Sequence, residues 1–163
     1  MEGMAANYQE LETELGVLAE AAGSVEDLMS LIVGRLRERL RHFDWVGFYM
    51  IEKSRHGEDP MLVLGPYVGA ETPHKRIPLN QGICGAAVST GQTVVVDDVN
   101  ADPRYLACSL ETRSEIVTPI LVHGKVVGEL DIDSHTPAAF TPVERTLVEH
   151  CAMLVGGYLE KVS

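Results

Sequence analysis

Leu11, Leu15, Leu18 and Ala22 recur at helical spacing, which predicts a first helix over residues 7–21 that Gly23 ends. Ser24, with Asp27 three positions on, reads as an N-cap and a variant capping box. Leu28, Leu31, Ile32, Leu36 and Leu40 then form the apolar stripe of a second helix. Both stripes need a surface to bury against. Trp45 to Ile51 is dense in aromatic and branched residues and predicts a strand. Met61 to Leu64 predicts its antiparallel partner, with residues 55–60 as the turn or loop between them. Residues 65–75 carry Gly65, Pro66, Gly69 and Pro73 and read as irregular, and Arg76-Ile77-Pro78 as a short extended piece. Gly82 to Thr90 predicts a short helix stopped by Gly91, and Thr93 to Val96 a strand. Residues 97–105 read as a polar loop with a turn at Asp102-Pro103. Ile116 to Val122 and Lys125 to Asp133 predict two strands of a hairpin closed at His123-Gly124. Thr141 as cap, Pro142 at the first helical position and Glu144 as box partner start a last helix, striped by Leu147, Cys151, Leu154 and Tyr158.

This order predicts an α+β fold. The N- and C-terminal helices pack on one face of an antiparallel sheet, and the other face is left for loops and a ligand. A length of 163 residues fits one domain, 1–163, with a single core.

Charge narrows the function classes. Thirteen basic residues against 24 acidic give a formal charge of −11, which argues against nucleic acid and anionic membrane surfaces as partners. No run is long and apolar enough to span a bilayer, and the N-terminus lacks the basic and apolar regions of a secretion signal. The expected location is cytoplasmic. Three cysteines there are no disulfide framework; they are buried, metal-binding or catalytic.

Candidate chemistry gathers in the second half. Glu115, Asp131 and Asp133 interrupt strands that otherwise read as buried. Parity places Glu129, Asp131 and Asp133 on one face of their strand. If Gly124 is the third residue of a three-residue loop, Glu115 lies opposite Asp131 and joins that face. A two-residue loop, His123-Gly124, puts Glu115 on the other face. Clustered carboxylates repel, so at least one takes a raised pKa and can donate a proton, while the others can bind an ammonium group. The plainer reading is a set of solvated strand-end acids.

Cys84, in the first turn of its helix, would feel the positive end of the dipole, which favours thiolate. Cys108 follows a loop and could approach it. One thiol can attack an electrophilic sulfur or carbon, and another can resolve the product as a disulfide. On spacing alone the plainer reading prevails, that both are small buried hydrophobes. Cys151 falls in the apolar stripe of the last helix and reads as core. His74, Cys84 and Cys108 lack the short spacing of zinc sites.

At these residues the chain resembles the GAF-domain free methionine-(R)-sulfoxide reductases. The resemblance runs from about Asp44 to the final helix. It is carried by Trp45-Val46-Gly47-Phe48-Tyr49, Leu64-Gly65-Pro66-Tyr67, Gly82-Ile83-Cys84-Gly85, Ala107-Cys108, Ser114-Glu115-Ile116-Val117 and Gly128-Glu129-Leu130-Asp131-Ile132-Asp133. It implies a GAF-like fold and a thiol-dependent reductase of the free amino acid, with no metal and no organic cofactor. By resemblance Cys108 is the favoured nucleophile, and Cys84 resolves it or shares that role. Glu115, Asp131 and Asp133 would bind the ammonium group and assist protonation, and Trp45 and Tyr49 would wall the pocket. The implied partners are free methionine-(R)-sulfoxide and a thioredoxin-type reductant. Separately, the amphipathic terminal helices could form a homodimer. The family's third cysteine, ten residues before Cys84, is His74 here. The implied disulfide is therefore Cys84–Cys108, or an external thiol resolves the intermediate. The alternative reading is a non-catalytic GAF module that binds a small ligand.

Overall fold

Alternation along the central strands sorts the interior into two layers. The fold comes from a computed structural model, which describes residues 2–53, 57, 59–106 and 110–163. Its elements are α1 (Glu2–Ala21), α2 (Val25–Arg39), β1 (Trp45–Glu52), β2 (Met61–Val68), β3 (Arg76–Pro78), α3 (Gly82–Thr90), β4 (Val94–Val96), β5 (Ser114–Val122), β6 (Lys125–Ser134) and α4 (Pro142–Val162). The strands form one sheet in the order β3-β2-β1-β6-β5-β4, with every pair antiparallel. Val46, Phe48, Ile116, Ile120, Leu130 and Ile132 point to one face, where Leu15 of α1, Leu28, Ile32 and Leu36 of α2, and Leu147 and Cys151 of α4 cover them. Trp45, Tyr49 and Val117 point to the other face and pack with Ile83, Cys84 and Ala87 of α3. This is the predicted α+β arrangement.

The helix signals act largely as read. Ser24 Oγ accepts the backbone N–H of Asp27 at 3.1 Å and satisfies one of the open donors of α2. At α4 the side chains meet differently. Thr141 Oγ1 donates to Glu144 Oε2 at 2.7 Å and makes no bond to the helix backbone. Helix α1 begins well before residue 7, and a 3₁₀ turn, Val99–Ala101, lies inside the predicted loop after β4. The predicted turn at residues 55–60 lies partly outside the described residues.

Two departures come from β-bulges. Strand β2 continues through Gly65 and Pro66 to Val68, where an irregular segment was expected. The register with β1 slips between Gly47 and Tyr49, so the Gly-Pro pair sits in a bulge where a proline's missing N–H is tolerated. The β5–β6 hairpin has the two-residue turn, with His123 and Gly124 both at positive φ (49° and 78°). That turn alone would throw Glu115 to the wrong face. A second slip prevents it: Ile120 pairs with Gly128 but Leu121 with Val126, leaving Val127 as an extra residue. Beyond this bulge Glu115 lies opposite Asp133, two residues along from the Asp131 expected with a three-residue loop.

Candidate active site

The face of the sheet under α3 carries four acids where a core would carry hydrophobes. Glu115 comes from β5, and Glu129, Asp131 and Asp133 from alternate positions of β6. None exceeds 6% exposure, so the solvated-acid reading does not hold. Cys84 hangs over them from the third position of α3, itself buried, and its thiol donates to Asp131 Oδ2 at 3.6 Å. One ligating atom each from Cys84, Glu115 and Asp131 lies within 4.8 Å of the others.

Burial and crowding set the protons. Burial raises the pKa of Glu115 well above the ordinary range, and the neighbouring Asp131 and Asp133 raise it further. Burial does the same to Asp133, followed by repulsion from Asp131. Glu129 is raised well above its usual range by burial, partly offset by the nearby Cys84 thiol. Asp131 is raised by burial too, but hydrogen bonds from Glu115 and Cys84 favour its charged form. Asp131 is therefore the least shifted of the four, and its three neighbours are held further towards the protonated acid. The Cys84 thiol is raised well above its usual value by burial, then by Asp131, Glu129 and Glu115. The helix-dipole expectation of a thiolate fails because burial, followed by the neighbouring carboxyls, outweighs one helix end.

Two cavities flank this nest. An inner one of about 20 Å³ is lined by Tyr49, His74, Cys84, Leu106, Glu115 and Asp131, among others, and has room for about one water. An outer one of about 300 Å³ is lined by Trp45, Thr72, Glu111, Thr112, Asp133 and His135, among others. Trp45 and Tyr49 stack with ring centroids 6.2 Å apart. Their polar ends are anchored on the loop after β2. Trp45 Nε1 donates to the Ala70 carbonyl at 3.0 Å, and Tyr49 Oη to the His74 carbonyl at 2.7 Å. Gly47 lies between them on the same face, and a Cβ there would run into the Trp45 ring.

The expected site residues therefore divide, with Tyr49, Cys84, Glu115 and Asp131 at the inner cavity and Trp45 and Asp133 at the outer. Cys108 lies outside the described residues. Cys151 is fully buried in α4 within the helical layer, where burial pushes its thiol up. Sequence reasoning passed over Glu129, although strand parity already placed it on the acid face.

A sheet covered by helices on one face, with a polar nest under a short helix on the other, is the architecture of a GAF domain. The GAF domain family matches residues 24–159. Protein YtsP of Bacillus subtilis is 42% identical over 109 residues, 67% of this chain and 64% of that protein. The free methionine-R-sulfoxide reductase of Escherichia coli is 35% identical over 134 residues, 82% of this chain and 77% of that enzyme. The X-ray structure of free methionine-R-sulfoxide reductase from Neisseria meningitidis in complex with its substrate superposes with a TM-score of 0.88 at 33% identity, covering 96% of this chain and 90% of that one. The chain belongs to the GAF-domain free methionine-R-sulfoxide reductase family. No helix among the described residues is long and apolar enough to cross a membrane.

Proposed function

We propose that this protein reduces free methionine-(R)-sulfoxide to methionine with its own thiols. The Cys108 sulfur bonds to the sulfoxide sulfur while a carboxylic acid of the nest protonates the oxygen. The substrate sulfur–oxygen bond and the new bond between Cys108 and the substrate sulfur both break as the hydroxyl passes to the Cys108 sulfur, so methionine leaves with its sulfur two electrons richer and Cys108 is left as a sulfenic acid. Cys84 displaces that oxygen as water and forms a Cys84–Cys108 disulfide, which a thioredoxin-type dithiol reduces. The raised Cys84 pKa supports its coming second, because the thiolate is the attacking form and burial among acids disfavours it.

The single observation that carries this reading is the buried acid nest against Cys84. Glu115, held towards its protonated form, is suited to give a proton to the sulfoxide oxygen. Asp131 supplies the anionic partner that a free amino group needs, and the incoming ammonium favours ionisation of Asp133 beside it. Tyr49 and Trp45 wall the apolar side, around the methyl group. The inner cavity is smaller than an amino acid, so binding must widen it, and Leu106, one residue before Ala107-Cys108-Ser109, is part of its wall. The protein works in the cytoplasm as a homodimer. Exposed Val17 on α1 and Met153 and Val162 on α4 support the terminal helices as the contact.

Thioredoxin-coupled NADPH oxidation with separated diastereomers tests the proposal. Turnover of the R form and not the S form is expected, and N-acetylation of the substrate should abolish it because the ammonium group is gone. Folded protein that turns over neither diastereomer but binds a small ligand would instead make it a GAF binding module.

A further inference from the structure

The nest has a second chemical capacity. Cys84 and Asp131 present a sulfur and an oxygen 3.6 Å apart, with a Glu115 oxygen in the same group. Zinc bonded to a thiolate and a carboxylate oxygen at tetrahedral angles holds those two atoms about 3.6 Å apart. The side chains are deeply buried, so they are already stripped of water. Asp131 Oδ1, Asp133 Oδ1 and both Glu129 oxygens have no hydrogen-bond partner, although each is enclosed. Buried oxygens without a donor are a standing cost that a bound cation would relieve.

We infer that Cys84, Glu115 and Asp131 form a binding site for a single thiophilic divalent cation of the zinc and cadmium class. The sulfur ligand selects against calcium and magnesium, which are hard cations that take oxygen. Space selects the same way. The cavity these three residues line is about 20 Å³, enough for one small ion or water and too little for the waters magnesium retains. Asp133, directly across the strand pair from Glu115, is a candidate for a fourth ligand. A cation held here occupies the groups assigned above to the ammonium and the proton, so it and methionine sulfoxide exclude one another. That consequence rests on the reductase reading; the binding itself does not.

Titration of Cd²⁺ into the reduced, metal-free full chain tests the site through the ultraviolet thiolate-to-cadmium charge-transfer band. One equivalent per chain is expected, with the band abolished in Cys84→Ser and kept in Cys108→Ser and Cys151→Ser. Asp131→Asn, checked for folding by circular dichroism, should weaken binding at least about tenfold. No band, a band that survives Cys84→Ser, or one lost in Cys108→Ser would overturn the assignment. In turnover assays Zn²⁺ should raise the KM for the sulfoxide with kcat unchanged; a fall in kcat at constant KM would overturn the shared site. An inactive protein that still binds Cd²⁺ through Cys84 would defeat the reductase reading and leave the metal site standing.

Discussion

Asp131 differs from the other acids of the nest in receiving hydrogen bonds from two sides, Glu115 and Cys84, which favour its charged form against burial. Replacing it by Asn removes that charge while keeping the shape. For Asp131→Asn the KM for the free amino acid should rise about 10- to 100-fold, the worth of one hydrogen bond to a charged group. Glu115→Gln removes a proton donor, so its effect should fall on kcat, by about 100-fold or more. Steady-state kinetics of the two variants separate these roles; equal effects on KM and kcat in both would reject them. Cys151 offers the contrast. It is fully buried among the apolar side chains of the helical layer. Cys151→Ser should lower stability by about 1–3 kcal/mol in denaturant melts, the cost of burying a hydroxyl, with turnover unchanged.

The β5–β6 hairpin decides which face the acids occupy. Its two-residue turn and the extra residue at Val127 each reverse side-chain parity, and together they cancel. Deleting Val127 should therefore be far more damaging than Val127→Ala. One member of the pair of strands must then turn its acids or its Ile and Leu residues to the wrong face. Thermal melts of the two variants check this, and a deletion mutant with normal melting and turnover would show that the bulge does not hold the register. Gly47 is a parallel case in β1. Gly47→Ala drives a methyl into the Trp45 ring, and about 1–3 kcal/mol of stability should be lost together with the stacking on Tyr49.

For the molecule as a whole, the nest makes stability depend on pH in an unusual direction. The carboxyls of Glu115, Glu129 and Asp133 are raised well above their ordinary values. Between those values and the raised ones the folded state binds more protons than the unfolded state, so stability falls as pH rises. The contribution of these groups is full below the ordinary carboxylate range and is lost through the raised pKa values. Melting temperature should climb as pH drops from neutral towards about 5, before general acid destabilisation sets in. Glu129→Gln should flatten that slope. A melting temperature that rises with pH over this window, unchanged in the variant, would contradict it.

The chain by itself determined the elements and the layers. Helical stripes, the Ser24 cap and strand alternation at Trp45–Ile51 are local patterns, set by backbone geometry and by which side chains water rejects. The same alternation already put Glu129, Asp131 and Asp133 on one face. Only the tertiary structure decided that Glu115 joins them, because its face depends on a bulge that no residue type announces. It also decided the protonation of Cys84. A helix start predicts a thiolate, but desolvation and three buried carboxyls from two other strands act through space, and they prevail. Periodicity is written along the chain, whereas electrostatic character belongs to whatever the fold brings alongside.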